Sequence, residues 1–221
     1  MELFDAEHAK FCVHFVCFFV FFCGKNEPQG TPRNTKVCNS VSLCALWLQK
    51  RHFLVICVLM SIHGKTVIVE ISDLPATDCL GSLLAEHLPD GSVVALIGTL
   101  GAGKTRLVQA VAKYTGNAEE TVSSPTFVLL HEYTGGSRPI YHFDAYRLGN
   151  AEEFRRLSPD DYFEGSGLTF IEWADKFPQI LPAGYLEIRI EIFGETERRF
   201  HLTGYGVEYD AVVSEIILHL P

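Results

Sequence analysis

The ten residues Leu96–Thr105, LIGTLGAGKT, place the strongest constraint on what this 221-residue chain can fold into. Gly98, Gly103, Lys104 and Thr105 fit the spacing G-x-x-x-x-G-K-[ST], a loop whose glycines let backbone N–H groups curl around phosphate oxygens. Such a loop needs a buried strand before it and a helix after it, because the helix turns its positive end toward the anion. Both flanks are present. SVVALIG, ending at Gly98, is a continuous apolar run of the kind that forms a central strand buried on both faces. KTRLVQAVAKY then puts Leu107, Val108, Val111 and Ala112 on one helical face. Within the loop, Gly98, Gly101, Ala102 and Gly103 are expected to line the phosphates of a nucleotide. Lys104 reaches the β- and γ-phosphates, and the Thr105 hydroxyl coordinates Mg²⁺.

The elements around this unit follow from periodicity. TVIVEI, residues 66–71, alternates as a strand. DLPATDCLGSLLAEHL spaces Leu80, Leu83, Leu84 and Leu88 as a helix, with Asp73 as its cap and Pro75 tolerated in the first turn. TFVLLHEY and PIYHFDAY, joined by TGGSR, predict two strands in a hairpin. AEEFRRL reads as a short helix and LTFIEW as another buried strand. YLEIRIEIF with RRFHLTGY forms a second hairpin, and EYDAVVSEIILHL closes as an amphipathic helix. Buried strands mixed with hairpins predict an α/β chain: a three-layer P-loop NTPase fold with a mixed, partly antiparallel sheet.

Composition divides the chain near Met60. Residues 1–59 hold six Lys/Arg and four Asp/Glu, leaving twelve and twenty-three for residues 60–221, a net −11 (12 − 23). A surface of that sign repels polyphosphate, so unaided tight binding to nucleic acid is not expected, and any nucleic-acid role runs through a partner. Six of the seven cysteines precede Met60, which excludes a disulfide framework for the remainder. These cysteines lack a CxxC pair, so zinc is not expected either. Phe11–Cys23 is an apolar run of thirteen residues, short of a bilayer span, with acidic residues before it and no small-x-small cleavage site after it. LVICVLMSI is also too short and has no clean period. The expected organisation is an N-terminal extension over 1–59, not part of the working protein, and a P-loop domain over 60–221. The domain is expected in the cytoplasm, without a membrane partner.

A P-loop also needs an acidic residue at the end of a neighbouring buried strand to hold the metal. Glu172, which terminates LTFIE, is the first candidate and Asp144 in YHFDAYR the second. Other side chains carry plainer readings: Trp173 as core packing, His142 as a core histidine, Tyr146 and Arg147 as loop anchors, Arg155 and Arg156 as a solvated helix face.

LIGTLGAGKT, SSPTF, YHFDAYRL and IEWADKF, in this order and at this spacing, resemble the TsaE (YjeE) family over roughly residues 65–206. That family is a bacterial ATPase supporting threonylcarbamoyladenosine modification of tRNA, and it has nothing like residues 1–59. The resemblance implies ATP and Mg²⁺ as cofactors, with Thr105 and Glu172 as metal ligands. It implies SSPTF as a switch-like loop with Thr126 facing the γ-phosphate, Lys104 and Asp144 as catalytic groups, and Trp173 as an active-site aromatic. Thr77 and Arg198 would be nucleotide contacts. The partners implied are TsaB- and TsaD-like proteins, with slow hydrolysis setting the grip on them. Two rivals use the same loop: a small-molecule kinase, for which no arginine-rich lid stands between Tyr133 and Leu168, and a nucleotide-binding module that never turns over.

Overall fold

A computed structural model describes residues 42–44, 48–50, 53–61, 64–117 and 122–220, the first three stretches as backbone only. The strands are β1 (Ser42–Cys44), β2 (Leu48–Lys50), β3 (Phe53–Ser61), β4 (Gly64–Ile71), β5 (Val93–Ile97), β6 (Leu130–Tyr133), β7 (Ile140–Asp144), β8 (Leu168–Glu172), β9 (Tyr185–Ile192) and β10 (Arg198–Tyr205). The helices are α1 (Leu74–His87), α2 (Lys104–Tyr114), α3 (Ala151–Arg155), α4 (Pro159–Phe163) and α5 (Val207–His219). The Phe11–Cys23 run and the cysteines at 12, 17, 23 and 38 lie outside the described residues.

Every residue of β5 is buried, as its unbroken apolar run requires. It lies between β8 and β9, parallel to both, and β7 lies parallel to β8. The antiparallel pairs β6–β7, β9–β10 and β10–β4 complete the order β4-β10-β9-β5-β8-β7-β6. This is the mixed sheet that buried runs and hairpins together predicted.

Period-two alternation sends neighbouring side chains to opposite faces, and each face has its own core. Val94 and Leu96 join Leu168, Phe170, Ile188 and the apolar stripes of α1, α2 and α5. Val93 and Ala95 join Phe143, Ile171, Phe154 and Phe177 beneath α3, α4 and the turns after β8. Helices therefore cover both sides of the sheet, giving three layers. Each fully buried Leu, Ile or Phe contributes roughly 1.5–3 kcal/mol relative to exposure.

The ends of the helices follow local chemistry. Asp73 caps α1 by accepting from the Ala76 N–H at 2.9 Å. Asn150 caps α3 from Glu153 N–H at 3.0 Å while the Glu153 carboxylate accepts from Gly149 N–H at 2.8 Å, satisfying two donors reciprocally. α2 differs, because its N-cap is Gly103 in the left-handed region and no side chain caps it.

Three expectations change in detail. The strand predicted over residues 126–133 shortens to β6, because Val128 and Leu129 N–H both turn back to the Pro125 carbonyl, at 3.0 and 2.6 Å. α4, with Pro159 at its first position, follows the predicted short helix as a separate element. LVICVLMSI, which showed no clean period, lies mostly in β3, whose ladder with β4 runs through Met60 and contains a register shift between Val55 and Cys57. An irregular register of that kind disturbs the alternation by which a strand is read.

Candidate functional site

The parallel strands β5, β7 and β8 end side by side, and the three sequence candidates stand on that edge. β5 runs into the loop 98–103, β7 ends at Asp144 and β8 ends at Glu172. Asp144 and Glu172 are register partners, and Leu96 pairs with Glu172 across the other side. Ligand sites of open α/β sheets form in this place, outside the carboxyl ends of parallel strands.

The loop keeps its shape through glycine. Gly98, Gly101 and Gly103 have φ of 157°, 79° and 109°, in or near the region L side chains avoid. A Cβ at Gly98 would stand 2.7 Å from the Ile190 carbonyl oxygen, so only glycine fits there. At Gly101 and Gly103 an added Cβ meets nothing within 4 Å: the loop faces open space. The uncapped amino end of α2 opens onto it, so its orphan N–H groups are available to an anion. Ala102 is fully buried behind the loop and turns its N–H to the Thr99 carbonyl at 3.1 Å.

Thr105 donates from Oγ1 to Glu172 Oε1 at 2.6 Å, and His142 Nε2 lies 2.9 Å from the same oxygen. Glu172 and His142 are buried, at 3% and 0% exposure. This is an assembly of a hydroxyl and a carboxylate, the oxygen donors a hard divalent cation takes. With the uncapped amino end of α2 and open space at Gly101 and Gly103 beside it, the donor set fits a magnesium–nucleotide complex.

Lys104 is 4% exposed, which is unusual for lysine. Its ammonium donates to the carbonyl oxygens of Gly98 at 2.8 Å and Thr99 at 3.1 Å, and it sits 4.0 Å from the centre of the Trp173 ring. Burial pushes the amine below the usual lysine value, against the opposing pull of Glu172, Asp144 and Asp175. Trp173 stands in the left-handed region, φ 60°, immediately after β8, and packs against Tyr146 with ring centres 5.0 Å apart. It is half-buried and stacked on the loop lysine, a placement beyond plain core packing.

Asp144 gathers the segment after Val122. Its Oδ2 accepts from Thr126 Oγ1 at 2.5 Å and Ser124 Oγ at 3.1 Å, and its Oδ1 accepts from Tyr146 N–H at 2.8 Å. Arg147 lies 4.9 Å over the exposed Phe127 ring, joining the loop after β7 to the same segment. Lys176 fixes that loop from below, donating to the carbonyls of Ala145, Tyr146 and Leu148 at 3.1, 2.6 and 2.7 Å.

The remaining candidates are placed differently. Arg198 Nε donates to the Ala102 carbonyl at 3.2 Å and its Nη1 to the carbonyls of Gly194, Glu195 and Glu197, so it ties the β9–β10 turn to the back of the loop. Thr77 is buried in α1 with its hydroxyl 3.3 Å from the Asp73 carbonyl of its own helix. Sequence reading missed His142 and Lys176 as parts of this arrangement. A signal for His142 existed, because it lies two residues before Asp144 and so shares its sheet face; none existed for Lys176, whose partners are backbone.

Comparison with known proteins agrees with this geometry. The family model described as "Threonylcarbamoyl adenosine biosynthesis protein TsaE" matches residues 71–200. The tRNA threonylcarbamoyladenosine biosynthesis protein TsaE of Synechocystis sp. is 45% identical over 114 residues, 50% of this chain and 71% of that protein. The protein of the same description from Nostoc sp. is 38% identical over 162 residues, 72% of this chain and 95% of its own length. The crystal structure of Bacillus subtilis YdiB superposes with a TM-score of 0.61 at 31% identity, covering 72% of this chain and 99% of that one. A P-loop between a buried strand and an uncapped helix, the Thr105–Glu172 pair and these matches lead to one conclusion: the chain belongs to the TsaE family of threonylcarbamoyladenosine biosynthesis proteins.

Proposed function

We propose that this chain binds ATP with Mg²⁺ at the loop 98–105, hydrolyses it slowly, and serves threonylcarbamoyladenosine modification of tRNA as a cytoplasmic accessory to TsaB- and TsaD-like partners. The observation that carries this reading is the Thr105–Glu172 bond set against the uncapped amino end of α2. Bound magnesium would supply Lewis-acid stabilisation of the phosphoryl oxygens, with Thr105 and Glu172 holding it. Lys104, held on two loop carbonyls, exchanges them for phosphate oxygens and carries positive charge to where negative charge develops. Asp144, with Thr126 and Ser124 bonded to it, is the carboxylate that orients the attacking water. Trp173 closes one side of the site over Lys104. Arg198, which also holds the Ala102 carbonyl, and Thr77 on α1 are nucleotide contacts in this reading.

Two features favour a protein partner over tRNA. Residues 60–221 carry net −11 (12 − 23), without the phosphate-neutralising excess that non-specific tRNA affinity needs. Leu100, Phe127, Val128 and Tyr146, at 80, 85, 58 and 49% exposure, are large apolar side chains on the segments that frame the site. A segment bonded to Asp144 changes its contacts when phosphate arrives, so nucleotide state reaches that surface.

Phosphate release from ATP tests the reading. The native chain is expected to release inorganic phosphate in a Mg²⁺-dependent reaction, with or without small-molecule acceptors. Lys104→Ala should lower turnover by roughly 100-fold or more with the fold intact. Native turnover in that variant, or phosphate appearing only on an added acceptor, overturns the assignment.

A further inference from the structure

His142 is fully buried and reaches the Thr105–Glu172 pair from the neighbouring strand. It belongs to β7, and Glu172 to β8, one strand over and diagonal to it in a register that pairs His142 with Phe170. Glu172 Oε1 accepts from Thr105 on one side and lies 2.9 Å from His142 Nε2 on the other. The far ring nitrogen, Nδ1, is buried without a partner.

The direction of that bond follows. A carboxylate oxygen only accepts, so Nε2 carries a proton and donates to Glu172. Two donors now engage Oε1, one from each side, and neither engages Oε2. The carboxylate is held at one rotation, with its second oxygen left by both donors.

We infer that His142 is a positioning residue: its Nε2–H fixes the rotation of the Glu172 carboxylate so that this carboxylate and Thr105 present a prearranged pair of oxygens to a divalent cation. Outer partners of this kind typically change metal affinity 10–100-fold when removed. The inference rests on the proposed nucleotide–metal site and adds to it the group that sets the site's geometry from the core side.

The test compares two amide substitutions. The amide nitrogen of His142→Gln stands where Nε2 stands and can donate to Glu172. In His142→Asn the amide nitrogen ends one bond short, nearer the Nδ1 position, so a polar side chain remains but the bond is lost. ATP affinity is measured by equilibrium binding to the full chain, across a Mg²⁺ titration and again with the metal chelated. His142→Gln should keep the native Mg²⁺ midpoint within about threefold. His142→Asn should shift that midpoint upward by roughly 10-fold or more, with metal-free ATP affinity unchanged. A residue that merely fills the core would alter the two affinities together or neither. Equal Mg²⁺ midpoints in both variants, or an Asn variant that loses metal-free affinity in proportion, overturn the inference. A native chain whose ATP binding ignores Mg²⁺ overturns the proposed site itself, a distinct result read before either variant is made.

Discussion

Lys104 shows what a single side chain gives up to serve such a site. An ammonium at 4% exposure is desolvated, and its proton is held less tightly than in the unfolded chain. The sign of the linkage follows. Below its lowered folded pKa the lysine is charged in both states and its burial opposes folding; as pH rises through that pKa toward the unfolded value the cost fades. Activity runs the other way, because only the charged form meets phosphate. The alkaline limb of kcat/KM, which reports the free protein, should fall at a pH below the ordinary lysine value of ~10.4. The limb of kcat should lie higher, since phosphate oxygens support the charge once ATP is bound. A pH–rate profile checks both limbs, and coincident limbs at the ordinary value would show that burial does not tune this lysine. Trp173 adds backbone strain at the same place, about 1–3 kcal/mol for a non-glycine residue held at φ 60°. Aromatic packing on Tyr146 and the contact with Lys104 offset it.

At the scale of elements, the helix that carries the loop is positioned by a close crossing. α1 and α2 touch through Gly81 and Ala110, where a Cβ on the glycine would stand 2.4 Å from the Ala110 Cβ and 2.8 Å from its backbone carbon. Glycine is a poor helix former, by about 1 kcal/mol against alanine, and here contact overrides propensity. Gly81→Ala should therefore destabilise the fold despite the gain in helix propensity, by a net of about 1–2 kcal/mol, lowering Tm by roughly 2–8 °C. Thermal unfolding measures this. A rise in Tm would mean that the two helices separate without cost. Because Ala110 lies on the helix that begins at Lys104, the same variant should weaken ATP binding, whereas an exposed-face change such as Arg155→Ala should leave both quantities unaltered.

For the whole molecule, both cores as formed by the described side chains, and every proposed contact with nucleotide, lie after residue 63. We propose the division suggested by composition: a working domain over 60–221 and an extension over 1–59. The ladder between β3 and β4 adds backbone pairing at one edge of the sheet, far along the strand order from β5, β7 and β8. A chain beginning at Met60 keeps the β4–β10 ladder, so it should unfold cooperatively and bind ATP with native affinity. Loss of ATP affinity in that shorter chain would show that the edge strand supports the site. Among the described residues no helix is long and apolar enough to cross a membrane.

The local elements were legible from the chain alone. Helix α2 begins and ends where KTRLVQAVAKY does, and β10 coincides with RRFHLTGY, because periodicity and breakers act over a few neighbouring residues. The phosphate loop was legible for the same reason: its glycines, lysine and threonine are consecutive in sequence and their chemistry is local. Glu172 could be chosen because it ends an apolar run, although Asp144 met the same criterion at a similar strand end. The residue pattern alone ranked them without a physical reason; the tertiary structure supplies one, by setting β8 beside β5 so that Glu172 meets Thr105 while Asp144, one strand further, meets Thr126. It also brings Arg198 and Lys176 onto backbone carbonyls and places His142 beside Glu172. Strand order and side-chain partners arise from contacts between residues dozens of positions apart, and no local pattern records which strand will lie next to which.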